Sequence, residues 1–199
     1  MSQRAAPRPE GVRGVHPRRI ALAGVIAAVY AALTLLVTQV LGTLGFGLVQ
    51  LRLSEAVTVV ACLTPAALPG LALGSALANL ASVAAFGPIG LLDVVLGSFG
   101  TFLGAWWTWR FRSRTGIALA GPVIFNALIV PAYLPAMLRS AGIGAVPLFG
   151  VSLSSAWPVL YGFGVLSIGL SQAIVVYGLG WPLLAALRRM RLPGLDESA

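Results

Sequence analysis

The sequence predicts an all-α membrane protein: a bundle of six transmembrane helices with both termini in the cytoplasm. Three observations predict this fold. Of 199 residues, 58% are hydrophobic and only 9% are charged, whereas an average soluble domain carries about 25% charged residues. Uncharged apolar runs recur along the chain, and roughly 20 such residues cross a bilayer core as a helix. The basic residues, all of them Arg, are distributed unevenly between these runs.

The apolar runs give the predicted elements in order. Residues 1–17 are rich in Arg and Pro and are predicted to be a disordered cytoplasmic tail; 18–190 form the helical domain, and 191–199 a second cytoplasmic tail. The first run is longer than the segment of about 7–15 residues in a cleavable signal peptide, so it is predicted to stay as a span. The six predicted spans are about 20–42, 54–66, 69–86, 90–109, 116–138 and 157–187.

Charge supports this topology. With the amino terminus inside, only Arg52 and Arg139 of the 13 basic residues fall on the outer side. The second span is too short to cross the bilayer alone, so it must either include residues 46–53 or end partway through the membrane. If spans two and three formed a re-entrant hairpin, every later segment would keep its side. Charge therefore leaves six full spans and four spans with a hairpin both open.

The residue inventory excludes several activities. The chain has no Lys, which removes a P-loop and Schiff-base chemistry. The single His, His16, lies in the amino-terminal tail, so the spans offer neither a Ser-His-Asp triad nor a His-rich metal site. We expect Cys62 to be a small buried residue. No catalytic residue, metal, cofactor or nucleic-acid partner is therefore predicted, and any ATP hydrolysis that drives transport belongs to another chain.

Three charged residues lie within or beside the apolar runs, where a charge at the bilayer centre costs roughly 2.5–3.5 kcal/mol. Arg52 and Glu55 are three residues apart and would share a helix face, either as a structural ion pair or as ligand contacts. Asp93 would stabilise a helix start, but it has no basic neighbour within ten residues. Two carboxylates near the outer ends of spans two and four predict a pocket for a cation or for a ligand rich in N–H donors.

Amides add polar groups to the other spans. Asn79, Asn126 and Gln172 lie in spans three, five and six. Each would either bond a neighbouring helix, for about 1 kcal/mol, or help the carboxylates to recognise a planar heterocycle. Trp157, beside an outer loop, is a candidate stacking residue, whereas the tryptophans before Arg110 indicate an interfacial belt.

Small residues form two stripes on span one. The first consists of Ala23, Ala27 and Ala31, and the second of Gly24, Ala28 and Ala32. The stripes lie about 100° apart, so one is predicted to pack within the bundle while the other is free to contact another membrane protein. Periodicity leaves open which stripe does which.

Five segments carry a resemblance to a known family. They are Gln50-Leu-Arg-Leu-Ser-Glu-Ala56, Leu63-Thr-Pro-Ala-Ala-Leu-Pro-Gly70, Ala78-Asn-Leu80, Gly87-Pro-Ile-Gly-Leu-Leu-Asp-Val-Val-Leu-Gly-Ser98 and Phe125-Asn-Ala-Leu-Ile-Val130. In these segments the chain resembles the QueT family over roughly residues 20–190. QueT proteins are proposed substrate-binding membrane subunits (S components) of energy-coupling factor (ECF) transporters, assigned to queuosine precursors.

The resemblance implies a six-helix bundle in a bacterial cell membrane, with an outward-facing pocket for a 7-deazaguanine that carries a 7-cyano or 7-aminomethyl group. It implies a transmembrane coupling subunit and two ATPase subunits as partners. The candidate ligand contacts that it supports are Glu55 and Asp93, followed by Arg52, Ser54, Asn79 and Asn126. The stripe of Ala23, Ala27 and Ala31 is similar to the pattern by which S components contact the coupling subunit. An acidic residue is common in the family where this chain has Gln172, which argues against a cationic ligand.

Other classes of protein are alternatives to this interpretation. A self-sufficient secondary transporter or channel needs inverted repeats or a continuous polar path, and the sequence shows neither. An S component for a different micronutrient would share the fold. An intramembrane enzyme would have to work with Glu55, Asp93 and Ser54 alone, and a structural assembly protein would bind no small molecule.

Overall fold

A computed structural model of the chain describes residues 17–42, 47–145 and 151–190. Its α-helices are α1 (Pro17–Leu41), α2 (Ala67–Phe86), α3 (Ser98–Arg110), α4 (Thr115–Ala118), α5 (Ala120–Ser140), α6 (Trp157–Val175) and α7 (Trp181–Met190). A 3-10 helix, Leu53–Cys62, is called the buried 3-10 helix below. Gly87–Gly90 forms a short 3-10 turn, and π turns at Asp93–Gly97 and Val176–Gly180 lead into α3 and α7.

The all-helical class is confirmed, while the number of membrane-length helices is smaller than predicted. Among the described residues, four helical segments are long and apolar enough to cross a membrane: Pro17–Leu41, Ala67–Gly90, Thr115–Ser140 and Trp157–Met190. The predicted second span is instead the ten-residue buried 3-10 helix, which is too short to cross a bilayer. The predicted fourth span, 90–109, is not among the four either: it contains the π turn Asp93–Gly97 and the 13-residue α3. The tails predicted at 1–17 and 191–199 lie outside the described residues, apart from Pro17, which begins α1.

The packing of α1 on α2 is very close. A Cβ atom added at Gly74 would lie 2.6 Å from the backbone oxygen of Ala27, and one added at Gly70 would lie 2.7 Å from that of Ala23. Glycines four residues apart on α2 thus let the two backbones approach along the alanine stripe of α1, as in small-residue helix contacts in membranes. Only glycine fits at either position.

This packing decides between the two stripes of span one. Ala27 and Ala31 are buried, and the stripe that they form with Ala23 is covered by α2 within the chain. We predicted a contact with a coupling subunit on that stripe, and its position against α2 leaves no room for one. The second stripe, formed by Gly24, Ala28 and Ala32, is exposed.

The buried 3-10 helix lies in the centre of the bundle, against α1, α3 and the π turn before α7. Its residues from Ser54 to Cys62 are all buried. The run Val57-Thr-Val-Val60 is β-branched throughout, which lowers its preference for an α-helix, and the Thr58 hydroxyl donates to the backbone oxygen of Glu55 at 2.6 Å. The element is too short to span and is held in place by its surroundings.

Polar and apolar side chains are arranged inside out relative to a soluble protein. Leu166, Leu170 and Ile174 on α6 are 59–76% exposed, while Arg52, Glu55 and Asp93 are each at most 6% exposed. Such a distribution is typical of a protein whose outer surface faces lipid and whose polar groups face an internal site.

Candidate ligand-binding site

A cavity of about 290 Å³ lies beside the carboxyl-terminal half of α1. This volume is at the small end of ligand pockets, which span about 300–1,000 Å³. Hydroxyls, amides and one ion pair provide its polar surface. It is lined by Thr34, Thr38, Gln39, Gly42, Arg52, Ala78, Asn79, Ala81, Ser82, Ala85, Phe86 and Asp93. Of the predicted site residues, the structure therefore brings Arg52, Asn79 and Asp93 to one wall.

Asp93 is the centre of the hydrogen-bond network in this wall. The Tyr133 hydroxyl donates to Asp93 Oδ1 at 2.6 Å, and the Ser82 hydroxyl donates to Oδ2 at 2.6 Å. The Arg52 Nη2 atom lies 3.6 Å from Oδ1 and balances the carboxylate charge. The Asn79 amide donates to the Asp93 backbone oxygen at 2.8 Å. Asp93 thus joins α2, α5 and the segment before the buried 3-10 helix.

The partner of Arg52 differs from the one that sequence spacing suggested. Arg52 forms its ion pair with Asp93, and no ion pair joins it to Glu55 among the described residues. The interpretation of Arg52 and Glu55 as an ion pair is wrong, because Arg52 precedes the buried 3-10 helix with φ −90° and ψ 89°. The pairing at a spacing of three residues requires both to be helical.

Gly97 lets the network pack against bare backbone. A Cβ atom there would lie 2.8 Å from both Asp93 Oδ1 and Asn79 Nδ2, and 3.0 Å from the Tyr133 hydroxyl. No side chain fits without displacing a member of the network. Sequence reasoning missed Ser82 and Tyr133 as well as Gly97.

Glu55 lies in a second buried network. The Tyr30 hydroxyl of α1 donates to Glu55 Oε1 at 2.5 Å. Beside it, the hydroxyls of Thr34 and Ser54 are hydrogen-bonded at 2.7 Å, and Thr34 also lines the cavity. Glu55 Oε2 has no hydrogen-bond partner in the described part of the chain. This network ties α1 to the buried 3-10 helix and leaves one carboxylate oxygen available.

Further buried polar atoms lack partners among the described residues. Both polar atoms of the Asn126 and Gln172 side chains are unpaired, although each residue is only 1% exposed. Leaving such a group unpaired costs roughly 1–3 kcal/mol, so a buried amide of this kind is expected to meet water or a ligand. Asn126 and Gln172 lie outside the wall of the described cavity.

Trp157 does not reach the cavity wall. It is 53% exposed and stacks on Tyr161, with ring centroids 4.8 Å apart and planes inclined by 17°. Its aromatic partner is therefore a neighbour on the same helix, one turn away.

The family model described as QueT transporter matches residues 20–189, most of the chain. The chain belongs to the QueT transporter family. Comparison with curated proteins and with solved structures gives no match. Membership of the QueT family makes the chain a membrane transporter of a small molecule rather than an enzyme, in agreement with its apolar outer surface and its polar cavity.

Proposed function

We propose that this QueT chain is the substrate-binding S component of an ECF-type uptake transporter, and that its substrate is a queuosine precursor of the 7-deazaguanine class. The observation that carries the proposal is the polar cavity of about 290 Å³ inside a chain with an apolar outer surface. A cavity of this size suits capture of one small molecule.

The polar groups suit a base of this kind. A guanine-type edge presents adjacent N–H donors, which a carboxylate accepts in pairs. Glu55 Oε2 is unpartnered among the described residues, so we propose Glu55 as the acceptor, reached once the neighbouring hydroxyls of Thr34 and Ser54 rearrange. The unpaired amides of Asn126 and Gln172 would complete the polar surroundings. Trp157 is assigned no contact, because it stacks on Tyr161 outside the cavity wall.

Transport energy would come from partner subunits. The chain contains no Lys, so it cannot supply the lysine of a P-loop. We propose a transmembrane coupling subunit and two ATPase subunits in a bacterial cell membrane. The proposed docking surface for the coupling subunit is the exposed stripe of Gly24, Ala28 and Ala32, since the alanine stripe beside it is covered by α2.

A matched pair of variants tests this docking surface. Gly24 and Gly162 are both exposed, and a Cβ atom at either would have no neighbour within 4 Å. Gly24→Leu should fold and lose co-purification with the coupling subunit, while Gly162→Leu on α6 should keep it. Equal co-purification of the two variants would remove α1 as the docking surface.

Uptake measurements test the function itself. Cells that lack their own importer would be given the chain with the coupling subunit and both ATPases, then supplied with a radiolabelled 7-deazaguanine. Uptake should require all subunits and should stop when the P-loop lysines of the ATPases are replaced. Uptake by the chain alone would contradict the S-component proposal and favour a self-sufficient transporter.

A further inference from the structure

We infer that Arg52 is the charged group of the cavity wall that faces the 7-substituent of the substrate, while Glu55 accepts from its base edge. Asp93 positions Arg52, and the cavity therefore selects a base with a neutral, hydrogen-bond-accepting substituent over a base bearing an ammonium group. The inference rests on the proposed function, because 7-cyano-7-deazaguanine and 7-aminomethyl-7-deazaguanine both belong to the proposed substrate class. It decides between them from the charges in the cavity wall.

Asp93 is largely occupied by protein donors. Its Oδ1 accepts the Tyr133 hydroxyl at 2.6 Å and lies 3.6 Å from Arg52 Nη2. Its Oδ2 accepts the Ser82 hydroxyl at 2.6 Å. A carboxylate offers about four acceptor positions, so most are taken and the negative charge is already paired. An ammonium group entering the cavity would have to displace one of these donors or share the carboxylate with Arg52.

Arg52, in contrast, has N–H donors that no described residue accepts. A guanidinium has five N–H groups. Among the described residues, Arg52 Nε donates to Gln50 Oε1 at 3.1 Å, and Nη2 faces Asp93. The remaining N–H groups belong to a side chain that lines the cavity and is 6% exposed. Because Gln50 and Asp93 hold the guanidinium plane, these donors are oriented before a ligand arrives.

The net charge of the wall agrees with this assignment. Arg52 and Asp93 are the charged members of the cavity lining, so their charges cancel. Glu55 is absent from that lining, and one of its oxygens is bound to Tyr30. A nitrile or carbonyl would accept from Arg52, whereas an ammonium would meet the Arg52 cation with no unpaired carboxylate in the cavity lining. Arg52 is only 6% exposed, so water screens this repulsion less than it would at the protein surface.

Dissociation constants of the purified full chain test the inference. We expect 7-cyano-7-deazaguanine to bind at least tenfold more tightly than 7-aminomethyl-7-deazaguanine at pH 7. Arg52→Gln should weaken binding of the cyano compound at least tenfold and bring the two constants within about threefold of each other. Arg189→Gln, which removes the same charge from an exposed position on α7, should leave the preference unchanged.

Removing Arg52 alone leaves Asp93 without its cation, so the double variant Arg52→Gln/Asp93→Asn supplies a second test in which neither charge remains. It too should lose the preference for the cyano compound. Tighter binding of the aminomethyl compound by the unmodified chain, or an undiminished preference in the double variant, would overturn the inference and leave the proposed function standing. Absence of binding by both compounds would refute the proposed function, and the inference with it.

Discussion

Replacing Asp93 with Asn isolates the role of one buried charge. Asparagine has the same shape as aspartate and still accepts a hydrogen bond from Tyr133, while its amide can donate to the Ser82 oxygen. What the variant loses is the negative charge 3.6 Å from the Arg52 guanidinium. Arg52 would then be a buried cation without a counter-ion, in a side chain 6% exposed.

The magnitude follows from the distance. Two unit charges 3.6 Å apart interact by about 4.6 kcal/mol at an effective dielectric constant of about 20, from 332/(20 × 3.6). Removing one member of a buried ion pair costs about 3–5 kcal/mol in measured cases, in agreement with that figure. For a chain of this size, each kcal/mol corresponds to about 2–4 °C. Asp93→Asn should therefore lower the melting temperature by roughly 6–20 °C.

The assay is thermal unfolding of the purified chain in detergent without ligand. Asp93→Asn, Arg52→Gln and the double variant form a cycle that isolates the pairwise energy. Arg52→Gln should cost less than Asp93→Asn, because Tyr133 and Ser82 still donate to the remaining carboxylate. The double variant should recover most of the loss, since neither charge is left alone. A double variant no more stable than Asp93→Asn would refute the reasoning, as would an Asp93→Asn melting temperature within about 2 °C of the original.

Three further predictions concern single positions. Glu55→Gln should weaken binding of the 7-deazaguanine at least tenfold in calorimetry with little change in melting temperature, and an unchanged dissociation constant would remove Glu55 from the site. Gly97→Ala should destabilise the chain by about 1–3 kcal/mol, because its Cβ would lie 2.8 Å from two polar atoms. In the same thermal assay, the control Gly100→Ala should lower the stability clearly less, because the nearest contact of its Cβ would be 3.4 Å away. Gly74→Ala should separate α1 from α2 and lower the melting temperature, since its Cβ would lie 2.6 Å from a backbone oxygen. The control Gly162→Ala, on an exposed face, should be neutral or slightly stabilising. Equal melting temperatures of these two variants would contradict the close packing.

Apolar run length and composition were enough to predict the fold class and most element positions. The predicted spans at 69–86, 116–138 and 157–187 correspond to α2, to α4 with α5, and to α6 with α7. The long apolar helices can be recognised in the sequence, because each must present apolar side chains to lipid along its whole length. The 54–66 run carried the same apolar signal, yet it forms a short helix buried among its neighbours. Composition does not distinguish a lipid-facing segment from one surrounded by protein.

The site was predictable in its residue types and less so in its pairings. Asp93 meets Tyr133, which is 40 positions away in the chain, and local spacing carries no information about such a contact. A pairing of Arg52 with Glu55 assumed a helical backbone at Arg52, which instead has φ −90° and ψ 89°. The helix that covers the alanine stripe of α1 did have a signal in the sequence. Gly70-Leu-Ala-Leu-Gly74 on α2 is a small-residue motif, which is typical of close helix contacts in membranes.

The melting temperature of the purified chain, measured with and without candidate ligands, tests the central claim most directly. At about 100 times its dissociation constant, a bound ligand adds roughly 2.7 kcal/mol of stability, or about 5–11 °C for a chain of this size. A shift of this size with 7-cyano-7-deazaguanine, and none with guanine or riboflavin, is the predicted result. No shift with 7-cyano- or 7-aminomethyl-7-deazaguanine, or an equal shift with riboflavin, would contradict the assignment of this cavity to a queuosine precursor.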